Sequence, residues 1–203
     1  MSKSILLSIK PKWVAKILNG EKTIEIRKTM PKCDLPITVY IYCTKDKGKL
    51  VFDWETEQYQ TFYENECNCE DNLNGKVVAK FTLRKVEHYR CMVYIAPKLV
   101  KVILKTTHLY SEQEKELLSS ILENSCLSEK ELAKYLEKET TAFSGFYTYH
   151  IEDLVIFDKP KELWEFKRAS CKGCFAENTN YCDEKYCRIT KAPQNFVFVE
   201  SEE

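Results

Sequence analysis

Three side chains of different ionic type fall close together in the stretch Gly20-Glu21-Lys22-Thr23-Ile24-Glu25-Ile26-Arg27: an ammonium at Lys22, a carboxylate at Glu25 and a guanidinium at Arg27. An ammonium and a carboxylate in one cavity set each other's ionisation and can hold the polar edge of a heterocyclic base, while a guanidinium offers a planar donor fork to a phosphate or carboxylate. With water present, the same carboxylate could serve as a general base and the ammonium could steady a developing oxyanion. The competing reading is a solvent-facing ion pair on an edge strand, which contributes little. Periodicity puts Thr23, Glu25 and Arg27 on one face of an extended strand and Ile24 and Ile26 on the other. Lys22 follows the Gly20 break directly, so period alone does not set its direction.

A second constellation is Cys171-Lys172-Gly173-Cys174 followed, after seven residues, by Cys182-Asp183-Glu184-Lys185-Tyr186-Cys187. A C-x2-C turn paired with a C-x4-C turn fits the ligand spacing of Zn2+, and Gly173 allows the tight bend of a first knuckle. Four thiolates close the coordination sphere, so Cys171, Cys174, Cys182 and Cys187 are expected to hold a structural zinc that ties down a segment poor in apolar side chains. Two disulfides, or free thiols, are the other readings. Of the ten cysteines, Cys33, Cys43, Cys91 and Cys126 are scattered and read as small, partly buried apolar residues, while Cys67 and Cys69 sit in an acidic loop with no assigned role.

The elements that must position these groups follow from pattern. Ser4 to Ile9 reads as a strand, Pro11 sits where a helix begins and Gly20 where it stops, and Trp13, Val14, Ile17 and Leu18 form one apolar stripe. Lys10 and Lys12 flank that helix start, where free amides favour an anion; they are candidate phosphate contacts or ordinary solubilising lysines. Thr38 to Thr44 is β-rich. Residues 45–74 read as an insertion loop whose aromatics either pin it down or stack on a base. Gly75 to Val86 alternates as one long strand, whereas Cys91 to Leu109 is ambiguous. Ser111…Glu114 and Ser128…Glu131 are two capping boxes that predict a helical hairpin over residues 111–138. Gly145 to Asp158 reads as one aromatic strand ended by Pro160, in which Tyr147, Tyr149 and His150 have the composition of a stacking surface. A lone strand histidine is more often simply packed than catalytic. Asn195 to Val199 is a last strand.

A chain of 203 residues with 31 basic and 31 acidic side chains predicts one domain with elaborations and no strong positive field, so any contact with nucleic acid must be local. No export signal or bilayer-spanning run is visible, which predicts a cytoplasmic protein without membrane association.

The pattern G-x-K-x-x-E-x-R after a strand and a helix, filled by Gly20, Lys22, Glu25 and Arg27, resembles the signature of the ASCH domain, a branch of the PUA-like superfamily. Val39-Tyr40-Ile41-Tyr42-Cys43-Thr44, Gly75 to Phe81, His150 to Leu154 and Ala192 to Phe196 are similar to blocks of ASCH proteins from phages and prophages of low-GC bacteria. The resemblance implies an α+β fold, a PUA-like mixed β-barrel with flanking helices, elaborated here by the loop 45–74, the helical hairpin and a zinc knuckle within 168–190. It also implies binding of RNA, a nucleotide or a modified nucleoside in a cleft lined by Lys22, Glu25 and Arg27, with Tyr147, Tyr149 and His150 stacking. Small ASCH amidohydrolases that deacetylate N4-acetylcytidine resemble this chain at Lys22 but carry threonine where it has Glu25. Hydrolysis would then use Lys22 and Glu25 as the catalytic pair, with Glu25 activating water. A third reading is an interaction module that binds a host protein through residues 45–74.

Overall fold

The computed structural model describes residues 3–63, 72–96, 99–105, 111–136, 144–169 and 187–200. Chain contacts divide it into two compact units.

The first unit comprises Met1–Gly20, Cys33–Arg84 and Glu152–Glu203. Strand β1 (Lys3–Ile9) leads into helix α1 (Pro11–Leu18), which has proline at its first position and Gly20 just past its end at φ +76°. Val14, Ile17 and Leu18 of the expected stripe are buried, as are Pro11 and Ala15; Trp13 is half-buried with the Lys12 ammonium 4.3 Å from its ring centre. β3 (Ile37–Cys43) lies parallel to β1, and β6 (Lys76–Leu83) and β10 (Glu152–Glu162) follow on its other side, giving the order β10-β6-β3-β1-β11 with β11 (Phe196–Glu200) antiparallel to β1. Leu6, Tyr40, Tyr42, Val77, Phe166, Ile189 and Val199 form a core cluster of this unit.

Residues 45–74 are not without regular structure: β4 (Lys49–Asp53) and β5 (Gln58–Phe62) form a hairpin. Its turn carries no glycine or asparagine signal. Asp53 instead accepts bonds from the Glu55 amide at 2.9 Å and the Thr56 hydroxyl at 2.8 Å, and Glu57 takes the positive φ of 53°. The Asn19 side chain exchanges two 2.9 Å bonds with the backbone of Tyr59, pinning the hairpin to the end of α1. Of the aromatics, Phe52 packs edge-on against both Trp54 and Tyr59, and Trp54 stays 83 % exposed.

The second unit comprises Glu21–Lys32 and Lys85–Ile151. Its sheet runs β2-β9-β7-β8, from β2 (Ile24–Arg27) through β9 (Ser144–His150) and β7 (Val86–Ala96) to β8 (Leu99–Lys105), and the described part of the ambiguous stretch from Cys91 supplies both arms of a hairpin, residues 91–96 pairing with 99–104. Helices α2 (Ser111–Ser125) and α3 (Glu129–Leu136) form the expected pair. The second capping box is closed as its spacing requires: the Ser128 amide donates to Glu131 at 3.0 Å and the Glu131 amide to the Ser128 hydroxyl at 3.2 Å. Ile24, Ile26, Cys91, Val102, Leu104, Leu118, Ile121, Leu132, Leu136 and Phe146 make the core.

Three expectations are corrected. The run from Gly145 to Asp158 is not one strand; it breaks at Ile151, with Asp153 at φ +48°, into β9 of one sheet and β10 of another. Pro160 does not end β10, because β10 is an edge strand whose pairing with β6 is already irregular there. Nor do the described sheets close into a barrel. Closure needs a ladder that returns to its first strand, and each strand order here ends on two edges.

Candidate functional site

The site begins with the way α2 ends. The Leu127 amide donates to the Leu122 carbonyl at 3.0 Å and the Cys126 amide to the Glu123 carbonyl at 3.0 Å, while Cys126 takes φ +53°. This is a Schellman motif, with cysteine where glycine is usual. It satisfies the carbonyls of Leu122 and Glu123 and leaves that of Ser125, at the negative end of the helix dipole, to find another donor. The last turn of α2 contains no basic residue. Lys22 supplies the cation: its Nζ donates to the Ser125 carbonyl at 2.7 Å, across 103 residues of sequence.

The extended segment before β2 is held against the same turn. The Thr23 amide donates to the Asn124 carbonyl at 2.9 Å, the Thr23 hydroxyl to Asn124 Oδ1 at 3.0 Å, and the Cys126 thiol contacts the Glu21 carbonyl at 3.4 Å. The direction that period could not set for Lys22 is therefore set by the helix hairpin. With Lys22 anchored, its Nζ stands 3.2 Å from Glu25 Oε2, and Arg27 Nε stands 3.0 Å from Glu25 Oε1. The Arg27 contact is an ion pair without a well-aligned hydrogen bond. Lys22, Glu25 and Arg27 are 2 %, 7 % and 9 % exposed, so the surface ion pair is not what the chain builds. One carboxylate is clamped between two cations, and little of any of the three side chains is exposed.

Strand register sorts the remaining candidates. Glu25 lies opposite Tyr149 and Arg27 opposite Tyr147, so both tyrosines share the face of the charged residues. Tyr149 is fully buried and its hydroxyl donates to the Thr29 carbonyl at 2.6 Å; Tyr147 packs on His88 with ring centres 4.5 Å apart. His150 lies opposite Ile24 on the other face, and its Nε2 meets Glu87 Oε2 at 2.8 Å. Burial pushes the Glu87 carboxyl up, but bonds from His150 and Lys85 outweigh it and hold the carboxyl below its ordinary range. His150 is thus engaged by a carboxylate and turned away from Glu25. On the same strand Thr148 is fully buried, and its hydroxyl finds no partner among the described residues.

Lys10 and Lys12 belong to the first unit. Lys10 Nζ lies 3.6 Å from Asp46, Lys12 covers Trp13, and both are exposed. Of the cysteine cluster, Cys171, Cys174 and Cys182 lie outside the described residues, as do Cys67 and Cys69; Cys187 is half-buried and carries no disulfide. Cys33, Cys43, Cys91 and Cys126 are free thiols, with Cys43 and Cys91 fully buried. The partner that sequence reasoning missed is Ser125. Its only local signal is the join between the two helices just ahead of the Ser128 box.

No helix among the described residues is long and apolar enough to cross a membrane. No protein-family model matches the chain, and no curated protein matches it. Solved structures do. The crystal structure of ASCH from Zymomonas mobilis matches over 97 % of this chain and 87 % of its own, with a TM-score of 0.50 at 14 % identity. Tyrosine-to-phenylalanine and serine-to-alanine variants of that protein match with the same TM-score and identity, over 90 % and 88 % of their own chains. At this identity the likeness speaks for fold, and in fold the chain is similar to the Zymomonas ASCH protein.

Proposed function

We propose that the chain binds RNA or a nucleotide, including modified nucleosides, and that the Lys22, Glu25 and Arg27 cluster reads the ligand. The carrying observation is the clamped carboxylate: Glu25 lies 3.2 Å from Lys22 and 3.0 Å from Arg27 with almost no solvent exposure. Burying such ions is no more stabilising than packing apolar side chains of the same volume, so an ionic cluster of this kind asks for a role beyond stability. A fixed acceptor beside a fixed donor fork matches the amino and imino edge of a base together with an anionic group. Tyr147 and Tyr149 stand directly across the strand pair from Arg27 and Glu25. The test is calorimetry of the full chain against short RNA, single-stranded DNA and N4-acetylcytidine, for the parent, Arg27→Lys and Glu25→Gln. Binding that falls in both variants while their circular dichroism is unchanged supports the reading; binding indifferent to both overturns it.

A second reading is amide hydrolysis, favoured by the side-by-side placement of the Lys22 ammonium and the Glu25 carboxylate. Glu25 would take a proton from water as its oxygen attacks the acetyl carbonyl, Lys22 would steady the oxyanion, and the C–N bond would break with the proton passing to N4, releasing cytidine and acetate. Incubation with N4-acetylcytidine distinguishes the two, since a binder returns it unchanged.

We also propose a structural Zn2+ held by Cys171, Cys174, Cys182 and Cys187. Support comes from the ligand spacing and from the described chain on either side of the segment, where the Arg168 amide donates to the Cys187 carbonyl at 3.0 Å. One zinc per chain, released by thiol modification, is the expected outcome; a metal-free chain as isolated sinks it.

A further inference from the structure

Away from that cluster, the first unit has a cavity of about 650 Å³, within the size range of small-molecule sites. Its lining combines an indole, Trp164, with two lysines, Lys45 and Lys191, one carboxylate, Glu162, and the Tyr42 phenol. Each has a local reason to be where it is. Trp164 sits in the short 3-10 turn Leu163–Glu165, which is set by a reciprocal cap in which the Glu162 amide donates to Glu165 Oε1 at 2.6 Å. Arg188 then donates to the Trp164 carbonyl at 3.1 Å, with its guanidinium carbon 5.8 Å from the ring centre. A tryptophan fixed in this way is still 56 % exposed, which leaves much of its ring surface accessible.

Lys45 is aimed by Gly75. Its aliphatic stem lies where a side chain at position 75 would be, with Cε 2.7 Å from the place a Cβ would occupy. Lys191 follows Ile189, a buried residue of the core cluster. Neither Lys45 nor Lys191 has an ion-pair or hydrogen-bond partner among the described residues, although other lysines of the chain do. Tyr42 also lines the cavity and is 4 % exposed. Burial, with Cys43 and Glu162 nearby, pushes its phenol above the ordinary range, so it keeps its proton and can donate.

We propose that this cavity is a second binding site, for a nucleoside monophosphate or the equivalent unit of a single-stranded nucleic acid, with the base stacked on Trp164, the phosphate between Lys45 and Lys191, and Glu162 and Tyr42 accepting from and donating to base or sugar. An aromatic face and paired cations are together what a stacked base with an anionic tail requires, and either alone would be weaker. The inference does not depend on the Lys22, Glu25 and Arg27 reading.

The test is tryptophan-fluorescence and calorimetric titration of the full chain with AMP, adenosine, orthophosphate and a short single-stranded RNA. AMP is expected to quench and to bind more tightly than adenosine or orthophosphate. Trp164→Leu should weaken it about tenfold or more, the loss of one stacked base. Lys45→Gln with Lys191→Gln, at exposed positions that leave the core intact, should weaken it similarly and remove most of its salt dependence. Tighter binding of the RNA than of AMP identifies the polymer as the source, and equal binding identifies the free nucleotide. Absence of AMP binding at millimolar concentration overturns the proposal. So does binding that is unchanged in both variants, and binding that falls only in Arg27→Lys belongs to the other cluster and overturns it equally.

Discussion

The Lys22 ammonium donates to the Ser125 carbonyl at 2.7 Å, and through this bond a residue near the start of the chain completes the end of a helix 103 positions later. The α2 terminus, the anchoring of Lys22 and the clamp on Glu25 are thus one structural unit. Removing one part leaves the others buried and unsatisfied, and this governs how variants behave.

Lys22→Met is expected to lower stability by about 3 kcal/mol or more, because it leaves the Ser125 carbonyl without its donor and a buried carboxylate with one cation fewer. Urea denaturation measures this. The pair Lys22→Met and Glu25→Gln should cost less than the sum of its parts, and strict additivity would show that the two side chains do not sense each other.

The Glu87 carboxyl makes stability fall with acid. Its folded value lies below the ordinary 4.5, so its contribution is fully present above that value and is lost as pH falls through the lower, folded value. The parent should lose stability below about pH 4.5 more steeply than Glu87→Gln does. Denaturant midpoints taken between about pH 6 and pH 3 test this; parallel curves would assign the acid limb to other carboxylates.

Thiol reactivity should divide by burial. Burial, aided by Asp46, pushes the Cys43 thiol up to about 12, and burial pushes Cys91 up to about 11. Both stay neutral and shielded near pH 8 and are expected to resist iodoacetamide in the folded protein, while half-buried Cys33 and Cys126 react sooner. Peptide mass mapping after a short pulse reads the order. Early labelling of Cys43 would mean that its strand opens locally.

Gly75→Ala should cost about 1 kcal/mol, mostly through its backbone. Gly75 has φ +83°, where an L side chain is strained, and the new methyl would also displace the end of Lys45. Thermal melts give the cost. If Lys45 is aimed as described, the same variant should weaken AMP binding even at temperatures where it is fully folded.

Much of this architecture is legible from short spacings, because caps and periodicity depend on only a few consecutive residues. Pro11 and Gly20 bound α1, Ser128 and Glu131 start α3, and alternation puts Ile24 and Ile26 in the core opposite Glu25 and Arg27. The hairpin at residues 49–62 was hidden because its turn is made by Asp53 and a positive-φ Glu57 rather than by glycine. The break at Ile151 was hidden because both sides of it are equally strand-like in composition.

By itself, the sequence determined which chemical groups are available and which strand face carries them, since side-chain identity and a two-residue period are local properties. Tertiary structure alone decided that Glu25 would be enclosed rather than exposed, that Lys22 would turn toward Ser125 while His150 turned to Glu87, and that Trp164 would share a cavity with Lys45 and Lys191. The physical reason is that each of these outcomes is a contact between segments far apart in the chain. Such a contact forms only where closing the intervening loop is offset by packing and bonding that no short window of residues contains.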